Sequence, residues 1–115
     1  QILKPETVAL MSQNAMGLLR VKMLPTQNKG ASLDAEFFPG VPKTWGLSFM
    51  INEALAPTGR SAGSLAWAGL ANTFFWIDPK KDVAGLILMQ VLPFVDQKAL
   101  GLFTNFEKTA YSTLG

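Results

Sequence analysis

One hairpin constrains this chain more than any other feature. Asn72 to Asp78 reads Asn-Thr-Phe-Phe-Trp-Ile-Asp, and Val83 to Gln90 reads Val-Ala-Gly-Leu-Ile-Leu-Met-Gln. The turn-forming run Asp78-Pro79-Lys80-Lys81-Asp82 joins them. Successive side chains of a strand face opposite sides. Phe74 and Trp76 therefore share one side, and Phe75 and Ile77 the other. Leu86 and Leu88 against Ile87 and Met89 repeat the pattern. So short a connection makes the pair antiparallel. Both faces demand burial, which is the habit of a sheet covered on both sides.

The rest of the chain gives an α+β order. Lys4 to Gly17 predicts a first helix, with Pro5 at its first position, Glu6 at its positive end and Gly17 closing it. Val8, Met11 and Ala15 are its expected buried stripe. Leu18 to Leu24 is a short strand or extended segment, and Pro25 to Pro42 an ordered loop. A loop of that length is functional or lies over something else, and Phe37 and Phe38 indicate that it packs down. Trp45 to Asn52 and Ala62 to Ala68 predict two more strands, with a turn at Ala56-Pro57-Thr58-Gly59 between them. Asp96 to Leu114 predicts a closing helix with Asp96 as N-cap. Leu102, Phe103, Phe106, Ala110 and Leu114 form its expected apolar face. The expected architecture is an antiparallel sheet of about four strands flanked by an N-terminal and a C-terminal helix. Two helices are thin cover for a sheet that is apolar on both sides. The second layer comes from the long loop or, by preference, from a further polypeptide.

Composition narrows the chemistry. The 115 residues suffice for one domain with a core. Cys and His are both absent, which removes disulfides, thiol nucleophiles, Cys/His metal sites and an imidazole base. Any reaction must use hydroxyls, amines, carboxylates or backbone amides, and no cofactor or metal is expected. The formal net charge is +2, and the basic residues are scattered rather than interleaved with aromatics, so no nucleic-acid surface is expected. No apolar run approaches the roughly 18 residues of a membrane span. A chain without Cys tolerates either redox environment, with a cytoplasmic setting preferred over a periplasmic one. Asp78 and Asp82 flank a turn, where Asp is ordinary, and Lys80-Lys81 read as a solvated turn. Met11, Met16, Met50 and Met89 read as core fillers.

Between the third and fourth expected strands stands Trp67-Ala68-Gly69. Gly69 suits a bulge or tight corner, or the close approach of another group. The block from Gly63 through Ile77-Asp78-Pro79 to Leu92-Pro93-Phe94, followed by a long helix, resembles the C-terminal part of the serine β-lactamase and penicillin-binding-protein-like family. It is most similar to the branch of class C β-lactamases and related esterases. Asp34 to Asn52 resembles the lead-in segment of the esterase-like members, so the resemblance spans roughly Pro5 to Leu114.

The resemblance implies specific roles. Trp67, Ala68 and Gly69 match the third active-site motif, with Trp and Ala where lactamases have Lys and Thr. Leu70 is then the residue whose backbone N–H helps form an oxyanion hole, a role that asks nothing of its side chain. Phe37 and Phe38 are candidates for a substrate-pocket wall, against ordinary packing. The Trp-Ala pair favours small ester or amide substrates with an apolar group over β-lactams. The family's nucleophile lies in Ser-x-x-Lys. Ser12, Ser32, Ser48, Ser61, Ser64 and Ser112 are followed three residues later by Ala, Ala, Ile, Ser, Trp and Gly, so none fits. The one Tyr, Tyr111, falls on the closing helix. The chain thus reads as the C-terminal portion of a serine hydrolase domain, inactive alone. Its expected partner is the N-terminal portion of the same fold, as a separate chain or a missing segment, or a second copy of itself. The competing expectation is a non-catalytic α+β module that binds a partner through its open sheet face.

Overall fold

The computed structural model describes residues 2–115. The hairpin that opened the sequence reading forms as expected. Strand β4, Phe74–Asp78, pairs antiparallel with β5, Val83–Ile87, in a register that sets Trp76 opposite Gly85. That glycine is obligatory. A Cβ on Gly85 would stand 2.0 Å from the Trp76 ring, which lies flat across the strand. On its other side β4 pairs with β3, Leu65–Ala68, and β3 pairs with β2, Met50–Asn52.

The sheet has five strands rather than about four, in the order β1-β2-β3-β4-β5. The expected strand Trp45 to Asn52 is instead a hairpin. Its first arm is β1, Lys43–Trp45, and the chain reverses where the Gly46 N–H donates to the Phe49 carbonyl at 2.8 Å. Trp45 then faces Met50 across the pair. Gly46 permits this because a side chain there would strike the Met11 carbonyl, 2.3 Å from an added Cβ.

Helix α1 covers only Pro5–Met11, shorter than the expected run to Gly17. None of its residues is buried. Val8 is 45% exposed, so the expected stripe of Val8, Met11 and Ala15 does not form against this sheet. The chain leaves the helix because other partners take its backbone. The Ala15 N–H bonds the Trp45 carbonyl, the Val21 N–H bonds the Lys43 carbonyl, and the Asn14 side chain closes a turn onto Gly17. The long loop is ordered as expected. It is stitched down by a bridge between Leu24 and Ala35 and another between Ser32 and Phe94.

Helix α2, Gln97–Leu114, starts where expected, with the Asp96 carboxylate accepting the Lys98 and Ala99 N–H groups at 3.0 Å each. Its buried face is displaced by about one residue from the expected one. Ala99, Phe103, Glu107 and Tyr111 face the sheet, whereas Leu102, Phe106 and Leu114 are exposed. Phe74, Trp76, Phe103 and Tyr111 form the core with Ala66. The demand of the β4–β5 hairpin for two covered faces is met on one side only. Phe74, Trp76 and Asp78 are buried beneath α2, while Leu86 and Leu88 on the opposite side are 56% and 73% exposed. Among the described residues no helix is long and apolar enough to cross a membrane.

Candidate functional site

Trp67 and Ala68 end β3, and the turn that follows is fixed by its own bonds. The Gly69 N–H donates to the Thr73 carbonyl at 2.7 Å, and the Asn72 N–H to the Gly69 carbonyl at 3.0 Å. Asn72 adopts φ +63, the left-handed conformation that closes a three-residue hairpin loop. Asn72 is fully buried, and its side-chain amide donates to the carbonyls of Val91 and Pro93 at 2.8 Å each. The turn is thereby clamped to the segment leading into α2.

This clamp decides where the motif's amides point. Successive N–H groups of a strand point to opposite sides. Leu70 lies in the turn beyond the strand; the Gly69 N–H is spent toward β4, so the Ala68 N–H is turned toward the β2 side. There β2 ends its pairing with β3 at Met50 opposite Ala66, and the edge beyond lies open. The Leu70 N–H donates to no acceptor among the described residues, and Leu70 is 59% exposed. Gly69 itself has no positive φ, and an added Cβ would meet nothing closer than Thr73 at 3.7 Å. Gly69 does stand at the expected tight corner, its carbonyl accepting the Asn72 N–H, but its own φ is one that any residue adopts. The space over it has room for a methyl group in ordinary contact with Thr73.

Trp67 sits in an aromatic corner. Its ring meets Trp45 edge-on at 4.6 Å between centroids and Phe37 at 6.0 Å. Phe37 also reaches Phe74 and Phe94, both at 6.4 Å. The loop that carries it is anchored by Lys43, which is 5% exposed and donates to the carbonyls of Phe38 and Val41 at 3.1 and 2.7 Å. Burial pushes the Lys43 ammonium below its ordinary pKa, and Glu36 nearby opposes that shift. Phe38 lies under the Arg60 guanidinium, 5.0 Å from its carbon. Phe37, Phe38 and Trp67 thus come together on one cavity of about 270 Å³, which is closed by Phe74 and by Phe103 of α2. Ala68, Gly69 and Leu70 do not line it.

Two buried polar clusters escaped the sequence reading. Arg60 and Glu107 form an ion pair, with Nε to Oε1 at 2.7 Å and Nη2 to Oε2 at 2.6 Å, and the Thr58 hydroxyl also donates to Glu107. Asp78, expected as an ordinary turn residue, does accept the Lys80 and Lys81 N–H groups at 3.2 Å. It is also fully buried, and it accepts the Ser61 N–H and the Tyr111 hydroxyl at 2.9 Å each. Burial alone would raise the Asp78 pKa, but these donors outweigh it and hold the carboxyl below its ordinary range. Burial, with the Asp78 carboxylate second, pushes the Tyr111 hydroxyl well above its usual value. The signal for both clusters was present in α2, where Glu107 and Tyr111 follow Phe103 at steps of four. Among the described residues no group of three or more acidic side chains is placed to hold a metal ion.

No known family profile matches the chain. It is 32% identical over 120 residues to ML-236A carboxylate methylbutanoyltransferase of Penicillium citrinum. That match covers 96% of this chain and 28% of the relative. Unliganded simvastatin synthase (LovD) from Aspergillus terreus superposes with a TM-score of 0.75 at 24% identity, over 97% of this chain and 30% of that one. Its LovD6 mutant superposes at 0.72 with 26% identity, over 97% and 29%. The chain carries a C-terminal part of the serine β-lactamase-like fold. In this β-lactamase-like frame, β3 to β5 and α2 follow the order that the resemblance implied, with Trp67-Ala68-Gly69 at the end of β3. The chain spans less than a third of the length of these relatives.

Proposed function

We propose that this chain forms one wall of a serine acyl-transferring site, with Leu70 supplying an oxyanion donor and Trp67, Ala68 and Gly69 forming the third motif. The nucleophile belongs to an N-terminal portion of the same fold. In the first half-reaction a serine oxygen attacks the ester or amide carbonyl, and the carbonyl oxygen becomes negative. The Leu70 N–H donates to that oxygen. The carbonyl then reforms as the alcohol or amine departs with a proton. In the second half-reaction water or an acceptor alcohol takes the acyl group from the serine. A fixed backbone donor in such a place contributes about 3 to 4 kcal/mol to the transition state. The observation that carries the reading is the Leu70 N–H, which has no acceptor among the described residues and is held in a turn clamped by Asn72 directly after β3. The likeness to a methylbutanoyltransferase favours transfer of the acyl group to an acceptor over simple hydrolysis. Phe37 and Phe38 wall the substrate's apolar group, reaching the motif through Trp67.

The proposed partner meets the sheet at β5. Among the described residues that strand has no neighbour beyond it, and Leu86 is exposed on its uncovered face. An open apolar edge invites another strand. The test is intact mass after incubation with a fluorophosphonate probe, alongside turnover of a p-nitrophenyl ester. Adduct on a companion polypeptide that carries Ser-x-x-Lys, with turnover requiring both chains, is the expected result. Adduct on the 115-residue chain itself would overturn the assignment. A stable partner complex with no adduct and no turnover would leave the interaction module as the better reading, for which the same open edge speaks.

A further inference from the structure

The aromatic cavity contains a polar group that its apolar walls do not explain. Arg60 is 2% exposed and lines the cavity. Its Nε and Nη2 are committed to Glu107, and its plane rests on Phe38. Nη1 donates to no protein group among the described residues. It is also not one of the sealed polar atoms without a partner, which are Asn52 Nδ2, Ser64 Oγ and Asn72 Oδ1. Nη1 is therefore neither bonded nor sealed in, and the cavity is the space that Arg60 borders. A guanidinium N–H held out of bulk water without an acceptor is costly, and an oxygen placed there recovers that cost. Lys108 of α2 lines the same cavity and brings a second cation. Glu36 is the one carboxylate in the lining, and Lys43 lies close enough to offset its charge.

We propose that this cavity binds a small aryl carboxylate. The ring lies among Phe37, Phe74 and Phe103, and the carboxylate meets Arg60 Nη1 with Lys108 at the rim. The size agrees. An apolar cavity of about 150 Å³ holds benzene, and 270 Å³ leaves room for a ring and a short acid chain. Phe37 meets Phe74 edge-on and Phe74 stacks on Phe103, and such walls accept another ring in offset or edge-to-face contact. This inference goes beyond the acyl-transfer reading and does not need it, because binding here requires neither a nucleophile nor Leu70.

The experiment titrates the protein with 4-phenylbutyrate and with 4-phenyl-1-butanol, following tryptophan fluorescence, since Trp67 lines the cavity. The acid should bind saturably and about tenfold tighter than the alcohol, the effect of one charge-assisted hydrogen bond. Lys108→Gln should weaken the acid severalfold and leave the alcohol unchanged. Removing Arg60 alone strands a buried Glu107. The informative variant is therefore Arg60→Met with Glu107→Met, a replacement of a buried pair by apolar volume that proteins often tolerate. It should bring acid and alcohol to within about twofold of each other. Thr104→Trp, which fills the cavity from α2, should abolish both. Equal affinity for acid and alcohol in the unaltered protein would overturn the proposal, as would binding that Thr104→Trp leaves intact or no saturable binding by either ligand. Ester turnover without this binding would sink the inference alone. Binding here, with neither probe adduct nor turnover when the companion polypeptide carrying Ser-x-x-Lys is present, would sink the acyl-transfer reading alone.

Discussion

The two ends of the sheet's helix-covered face are held by opposite means. At one end Asp78 accepts from Tyr111, and Arg60 pairs with Glu107, as a buried polar lock beneath α2. At the other, Phe37 meets Trp67 and Phe74 edge-on beside unfilled space. The locked end fixes helix register. The Arg60 bond to Glu107 joins residues 47 apart in the sequence. The aromatic end leaves room and stands beside the open edge of the third motif. A protein that must admit a ligand needs a rigid frame next to an underfilled pocket, and here polar bonds supply the frame.

The comparison breaks most visibly at the lock. Glu107→Ala leaves the Arg60 guanidinium buried without its partner and should cost about 3 to 5 kcal/mol. Chemical denaturation of the otherwise identical protein checks this, and a loss below 1 kcal/mol would show that water or another group replaces the carboxylate. At the opposite end, the largest effect should be on rate and not on stability. Leu70→Pro removes one N–H that has no partner in the fold, at the second position of a turn, where Pro is favoured. Melting temperature should hold, while acyl turnover by the complete enzyme should fall about a hundredfold or more. Unchanged turnover would remove Leu70 from the oxyanion site.

Gly85→Ala should destabilise by about 1 to 3 kcal/mol, because the new methyl overlaps the Trp76 ring and the core must shift. Tyr111→Phe should cost a similar or smaller amount, about 1 to 2 kcal/mol, since Asp78 loses a donor and the Trp76 indole loses its acceptor. The pH dependence follows from Asp78. Its folded pKa lies below the unfolded one, so the native state binds fewer protons there. That contribution is present above the ordinary carboxylate range and disappears as pH falls through the folded value. Acid unfolding of Tyr111→Phe should therefore show a shallower loss of stability with falling pH than the parent, because the mutation removes part of what holds Asp78 ionised.

What the sequence disclosed and what it hid divide along the same line. Period-2 alternation in β4 and β5, the Asp96 cap and the Asp-Pro turn are local signals, and each produced the element it promised. Trp67 and Ala68 close β3 and Gly69 begins the turn, as the expected strand from Ala62 to Ala68 required. Helix α1 was overcalled because a Pro start and a Gly stop say nothing of what the backbone between them will bond, and here β1 takes it. The face of α2 was misplaced because apolar periodicity counts Phe106 and ignores Glu107. The carboxylate is buried only because Arg60 and Thr58 arrive from a loop 47 and 49 residues away. The step of four from Phe103 marks Glu107 as facing the sheet, but nothing local names Arg60 as its partner. The cavity was invisible for the same reason, since Phe37, Trp67 and Phe103 come from a loop, a strand and a helix.

The smallest effect is the sharpest test of the third motif. Gly69→Ala should change stability by no more than about 0.5 kcal/mol, because the site has an ordinary φ and its nearest neighbour stands 3.7 Å from the new methyl. Nothing among the described residues requires a glycine there, in contrast to Gly85, whose absence of a side chain is dictated by Trp76, nine residues earlier in the sequence and opposite it across the β4–β5 pair. If the room over Gly69 exists to admit a reacting carbonyl, the same methyl should lower acyl turnover while the melting curve stays put. A stability loss equal to that of Gly85→Ala would mean that Gly69 serves the fold. Unchanged stability with unchanged turnover would move the reacting group away from this edge, and the Leu70 N–H would lose its reason to be unpaired.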